Sequence, residues 1–167
     1  MYDELTVVDI KKMEEEIAYR TDVLAPQLLA ELKRTREFGD LSENAEYKEA
    51  KREKRRNEGR VRYLRAMINT AKIIEIREDA DRVCLFDHVT ILNEKTGAEK
   101  TIQIVTTLRQ NALLGFVSKE SPLGSALLGH RAGDRVAVRV NPSLSYDVTI
   151  RSIEKGQDNE DLPISGY

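Results

Sequence analysis

Apolar residues in the first seventy positions recur at helical intervals. Ile10, Met13, Ile17, Leu24, Leu28 and Leu32 lie three, four or seven residues apart, lining one narrow helix face and leaving the polar remainder to water. Pro26 interrupts this run, so the pattern predicts a kink or a restart at Asp22 before it continues through Leu28 and Leu32. Beyond Gly39 the register resumes at Ala50, Asn57, Val61, Leu64, Ile68 and Ala71. Two such stripes joined by a few residues shield each other only by folding back, which predicts an antiparallel α-helical coiled-coil hairpin. Arms of roughly 30 residues would be on the order of 45 Å long.

The pattern changes near Arg77 to Asp81. Residues 1–78 contain only Gly39, Gly59 and Pro26 as helix breakers, whereas the other seven glycines and three prolines follow, among short runs rich in Val, Ile and Thr. Val83–Leu85, Val89–Leu92, Thr101–Val105, Leu113–Ser118, Val136–Val140 and Tyr146–Ile150 are the expected strands. Turns fall at Lys95-Thr96-Gly97 and Pro142-Ser143-Leu144-Ser145. Ser121-Pro122 followed by Gly129 marks one short helix, with Ser as N-cap and Pro in its first turn. The expected fold class is therefore α+β: residues 1–78 form the hairpin with an acidic tip at 39–47, 79–155 a small antiparallel β-sheet domain with one short helix, and 156–167 a disordered tail.

Charge refines this picture. The chain carries 27 Lys and Arg against 29 Asp and Glu, a net charge of −2, which excludes a uniformly basic nucleic-acid coat. Yet Lys48, Lys51, Arg52, Lys54, Arg55, Arg56, Arg60, Arg62 and Arg65 face only Glu49, Glu53 and Glu58, so this stretch has a local charge of 9 − 3 = +6. Half of these side chains are accounted for by i,i+4 ion pairs on a solvated face; the rest could attract phosphates. No apolar run reaches the ~20 residues of a membrane span, and Met1-Tyr2-Asp3-Glu4 lacks the start of a secretion signal, so a cytoplasmic protein without membrane contact is expected. The lone Cys84, flanked by Val83 and Leu85, reads as packing. His88 and His130 stand apart, so any metal chemistry must use carboxylates.

The candidate chemistry sits between the two helical stripes, at Gly39-Asp40-Leu41-Ser42-Glu43-Asn44-Ala45-Glu46-Tyr47. Gly39 suits the left-handed end of a first helix, and Asp40 with Glu43 three residues later suits a capping box for the second. Tyr47 could pack between the helices or stack on a base.

This tip resembles the signature of the bacterial Gre transcript-cleavage factors, nearer the GreA type, and the likeness continues through Ala50-Lys51-Arg52, Glu58-Gly59-Arg60-Val61, Ala71-Lys72-Ile73-Ile74 and Ser121-Pro122-Leu123-Gly124-Ser125-Ala126-Leu127-Leu128-Gly129. The resemblance spans roughly residues 6–154. It implies an FKBP-like second domain that docks on RNA polymerase through Ser121 and Pro122, and a coiled coil that enters the secondary channel. It implies that Asp40 and Glu43 are the catalytic acids that help hold a second Mg²⁺, shared with polymerase and not bound by the isolated protein. Lys51, Arg52 and Tyr47 would meet the 3′ part of the nascent RNA, and the factor would work as a monomer. It would be an accessory factor and no enzyme by itself; the alternative is a Gre-like channel-binding inhibitor without cleavage activity. Thr106-Thr107-Leu108-Arg109-Gln110 and His130 depart from the family pattern, which commonly has an acidic segment at the first and Lys at the second.

Overall fold

Pro26 has no N–H to donate, and its ring crowds the carbonyl four residues back. The chain answers one turn earlier. In this computed structural model, which describes residues 3–38 and 44–166, α1 (Val7–Tyr19) runs into a π-helical turn (Arg20–Leu24) and then into α2 (Ala25–Arg36). The Ala25 N–H reaches the Arg20 carbonyl five residues back, so a widened turn feeds Pro26 into the start of α2 without a break. Asn57 Nδ2 also donates to the Arg20 carbonyl at 3.1 Å, so the opposing arm holds this turn open.

That opposing arm is α3 (Ala45–Thr70), whose 26 residues give a rod of about 39 Å. Cross-arm bonds join Thr35 to Asn44, Arg20 to Asn57 and Glu16 to Arg60, a sequence that runs in opposite directions along the two arms and so defines an antiparallel hairpin. Every stripe position named from the sequence is buried or half-buried, Met13 and Leu64 most completely. The seam is nevertheless partly polar, since Thr35, Asn57 and Arg60 are buried as well.

The chain divides into two compact units, one of residues 10–71 and one that joins 3–9 to 72–166. The second therefore includes a segment from the far end of the sequence. In it β1 (Glu4–Leu5) pairs in parallel with β2 (Lys72–Ile73), and Leu5 is fully buried. Thr6 then starts α1 with a reciprocal capping box: its Oγ1 accepts the Asp9 N–H at 3.2 Å, and Asp9 Oδ2 accepts the Thr6 N–H at 3.0 Å.

Five strands form the main sheet: β3 (His88–Asn93), β4 (Glu99–Val105), β5 (Phe116–Ser118), β6 (Arg135–Asn141) and β7 (Leu144–Glu154), in the order β5-β4-β3-β7-β6. The β4–β5 pair is parallel and the other three pairs antiparallel, a departure from the all-antiparallel expectation. Its cause is local. A 3-10 turn (Thr107–Arg109) and a second (Ala112–Leu114) carry the chain back so that β5 starts at Phe116, leaving Leu113–Gly115 outside the strand predicted there. Val83–Leu85 is not a strand either; Asp87 Oδ2 accepts the Cys84 N–H, and Phe86, at φ 70°, turns the chain into β3. Val89, Ile91, Ile102, Ile104, Val138, Val148 and Ile150 make the core, and α4 (Pro122–Leu127) contributes the buried Leu127.

Residues beyond 155 do not behave as the free tail the composition suggests. Gly156 lies against the Phe86 carbonyl so closely that an added Cβ would come within 1.9 Å of its oxygen. Ser165 donates from its N–H and its hydroxyl to the Leu108 carbonyl, both at 2.6 Å, and Leu162 packs on the core. Satisfied backbone groups and one apolar anchor order a segment that acidic, turn-rich composition assigned to solvent.

Candidate functional site

At the closed end of the hairpin, Asn44 caps α3. Its Oδ1 accepts the Tyr47 N–H at 3.0 Å while its Nδ2 donates to the Thr35 carbonyl at 2.8 Å, so one amide caps the second helix and ties it to the first. Thr35, fully buried, returns its hydroxyl to the Glu31 and Leu32 carbonyls. Arg34 clasps Glu31 through two hydrogen bonds of 2.9 and 2.6 Å, lies 3.5 Å from Glu46 on α3, and covers the Phe38 ring at 5.3 Å. The cap expected of Asp40 thus belongs to Asn44, four residues on. Asp40 and Glu43 themselves lie outside the described residues.

Of the other tip candidates, Tyr47 is half-buried in the first turn of α3, and Lys51 and Arg52 are exposed one turn further on. Arg52 lies 3.8 Å from Glu49, a surface pairing of small energetic worth. Within the basic stretch, Lys54 pairs with Glu58 and Arg56 with Glu53, whereas Arg60 turns inward. Its Nε and Nη2 meet Glu16 Oε1 and Oε2 at 2.8 and 3.1 Å. Arg20 Nε meets Glu16 Oε1 at 2.7 Å, and Arg20 Nη1 reaches Asn57 Oδ1 at 3.1 Å. Sequence pattern placed Asn57 in an apolar register; its amide is buried because it completes this network.

Burial by itself would raise the Glu16 carboxyl, but hydrogen bonds from Arg60 and Arg20, with their charges, hold it below its ordinary value of 4.5. A depressed folded value means that the ionised network stabilises the hairpin above about pH 4.5 and that this contribution is lost as pH falls through the folded value. The thermal midpoint of the parent should therefore fall more steeply on acidification than that of Glu16→Gln, and the two curves should converge in acid. Parallel curves would remove Glu16 from the acid response.

The second predicted surface, Ser121-Pro122, is built by close backbone approach. Ser121 Oγ accepts the Gly124 N–H at 3.0 Å and donates to the Ser118 carbonyl at 2.7 Å, so its hydroxyl is engaged in both directions and Pro122 presents the exposed face. Lys119 pairs with Glu4 and with Glu120, fastening this turn to β1. A Cβ at Gly124 would lie 2.1 Å from the Ser118 oxygen. Gly124→Ala should therefore push α4 off β5, cost about 1–3 kcal/mol in urea denaturation, and weaken any binding that uses Ser121 and Pro122; unchanged stability would contradict that geometry.

Neither periodicity nor local charge gives Arg109 a role in the sequence. It was noticed only as a departure from a family motif, yet it is fully buried: Nε meets Asp9 Oδ1 at 2.6 Å, Nη2 lies 2.7 Å from Asp158 Oδ1, Nη1 donates to the Asn159 carbonyl at 3.1 Å, and the guanidinium lies 5.1 Å from the Phe86 ring centre. The only sequence signal in reach was the Thr6-Val7-Val8-Asp9 capping box. His130 is exposed and lies 3.4 Å from Asp134, and Cys84 is half-buried beside Lys155 and Asp87. Among the described residues no group of three or more His, Cys, Asp or Glu could hold a metal ion, and no helix is long and apolar enough to cross a membrane.

Comparison with known proteins covers both units. A family model described as "Transcription elongation factor, N-terminal" matches residues 4–73, and one described as "Transcription elongation factor, GreA/GreB, C-term" matches 78–155. Transcription elongation factor GreA of Thermoanaerobacter pseudethanolicus is 41% identical over 138 residues, covering 81% of this chain and 87% of that protein. The GreA of Streptococcus thermophilus is 35% identical over 152 residues, covering 90% and 94%. Among solved structures, the GreA factor homolog 1 protein of Thermus thermophilus is 25% identical, covering 93% of this chain and 100% of that one at a TM-score of 0.42.

Proposed function

Because the chain belongs to the GreA/GreB family of transcription elongation factors, we propose that its acidic tip reaches the active site of RNA polymerase through the secondary channel and supports cleavage of backtracked RNA there. As a member of that family it stimulates cleavage by RNA polymerase and is an accessory factor rather than a catalyst by itself. The observation that carries the finer reading is the cap. Asn44 supplies the side-chain cap of α3 and holds the Thr35 carbonyl, and the sequence places Asp40 and Glu43 in the segment immediately before that helix start.

Carboxylates are the hard oxygen donors that Mg²⁺ selects, so the donor set suits an ion whose remaining ligands come from the polymerase. Bound there, a second Mg²⁺ would supply charge stabilisation to the attacking and leaving oxygens of phosphodiester hydrolysis. Asp40 and Glu43 would hold that ion in the complex; Lys51 and Arg52 would attract phosphates of the extruded 3′ RNA, and Tyr47 would offer a stacking face. Ser121 and Pro122 would dock the sheet unit, with the factor acting as a monomer in the cytoplasm.

The test is direct. Backtracked polymerase complexes carrying 3′-labelled RNA should release short labelled fragments when the protein is added, and slowed synthesis without new fragments would make it an inhibitor of the same channel instead.

The basic row gives a second expectation. Lys51→Glu with Arg52→Glu should weaken cleavage on deeply backtracked complexes more than on slightly backtracked ones, because a longer extruded strand offers more phosphates. Added salt should reproduce the effect, since exposed charges are screened over ~10 Å at 0.1 M. Equal losses on both substrates would show docking damage.

A further inference from the structure

Among the described residues at the closed end of the hairpin, Phe38 is the one large apolar side chain left in solvent, 62% exposed where Tyr47 is half-buried. A phenyl ring so placed gains little of the free energy that burial gives the stripe positions of the two arms. The residue is nevertheless held. The Phe38 N–H donates at 3.4 Å to the Thr35 carbonyl, the same oxygen that takes Nδ2 of Asn44, so the position that follows α2 is tied to the cap of α3. On one side the Arg34 guanidinium lies 5.3 Å from the ring centre, and Arg34 is fixed in turn by its two bonds to Glu31 and by Glu46 across the seam. The rest of the ring faces water.

A fixed aromatic ring open to solvent fits either another flat π surface or an apolar pocket. Two observations favour the flat surface. Closing a pocket around this ring would also strip water from Arg34, whereas stacking covers only the free side and leaves that charge hydrated. Phe38 also precedes Asp40 by two positions, and a chain spans at most ~3.6 Å per residue, so their Cα atoms lie within about 7 Å of each other. A phosphodiester held at Asp40 and Glu43 therefore brings its own bases within reach of the ring.

We infer that Phe38 stacks on a base of the RNA fragment being released and so positions the scissile phosphodiester at the acidic tip. This role rests on the reading given for Asp40 and Glu43 and adds a substrate-binding side chain to it. Every base has a π face, so stacking tolerates all four, and the larger purine surface binds the more strongly.

The experiment places 2-aminopurine, a base whose fluorescence is quenched by stacking, at the 3′ end of RNA in polymerase complexes backtracked by one nucleotide, in magnesium-free buffer that keeps the strand intact. The parent at saturation should quench the signal and Phe38→Tyr should match it. Phe38→Leu, which keeps apolar bulk without a ring, should not quench. With Mg²⁺ restored, Phe38→Leu at saturation should cleave about tenfold more slowly than the parent and lose its preference for a purine at that position, with an unchanged thermal midpoint. An unquenched signal with the parent, equal quenching by Phe38→Leu, or weaker polymerase binding by Phe38→Leu with no loss of saturated rate would each overturn the inference; the last result would put the ring in a protein pocket. Quenching is read without chemistry. A parent that quenches but does not cleave would overturn the proposed function and leave the stacking in place, and one that cleaves without quenching would overturn only this role of Phe38.

Discussion

Asp40→Asn should abolish most stimulated RNA cleavage while polymerase binding and hairpin stability persist. Asparagine keeps an oxygen donor of similar size but loses the charge that makes a carboxylate a good Mg²⁺ ligand. Since Asn44 caps α3, a change at Asp40 removes none of the cap bonds described at that helix start. Glu43→Gln should behave likewise. Raised Mg²⁺ should restore part of the rate in both, because mass action offsets weakened binding. Asn44→Ala supplies the contrast: it should lower stability by about 1 kcal/mol through loss of the cap, with a further cost from the Thr35 carbonyl, which would keep only the 3.4 Å bond from the Phe38 N–H. The measurement is cleavage rate against Mg²⁺ concentration beside a denaturation curve for each variant. Parent-like rates for Asp40→Asn and Glu43→Gln at every concentration would refute a catalytic role.

Arg109→Met should destabilise the sheet unit by about 3–5 kcal/mol, the usual cost of leaving a buried charge without its partner. The substitution strands Asp9, which is fully buried, and Asp158, and leaves the Asn159 carbonyl with the Leu162 N–H alone. It should also loosen both chain ends in that unit, with faster amide exchange at Thr6 and Asp9 and at residues 157–165. Adding Asp9→Asn should recover much of the loss, since Asn can still accept the Thr6 N–H and carries no charge to strand. Urea denaturation of the two variants checks this. A loss below about 1 kcal/mol would mean that the pairs at Arg109 are energetically idle.

Both predictions involve residues whose roles were read unequally well. The helical stripes were plain in the sequence because the 3.6-residue period repeats over many turns, and Ile10 through Leu32 and Ala50 through Ala71 all face inward as the spacing required. The π turn was only half legible: Pro26 announced a disturbance near Asp22, but its form depends on Asn57, 37 residues from Arg20. The cap was misplaced because Asp40 and Asn44 are both good N-cap residues, and only the cross-arm bond to Thr35 chooses between them.

Local pattern by itself determined the two helical stripes, most of the strands, the short Ser-Pro helix and the acid pair with its basic row, since each rests on residues within a few turns of one another. What only the tertiary structure decided is everything that joins distant parts of the chain: the β3–β7 pairing, the N-terminal segment in the sheet unit, the ordered residues after 155, and Arg109 where those two segments meet. The physical reason is that a buried charge is stable only where opposite charge and hydrogen bonds converge on it, and Asp9 and Asp158, 149 positions apart, meet Arg109 only once the chain has folded.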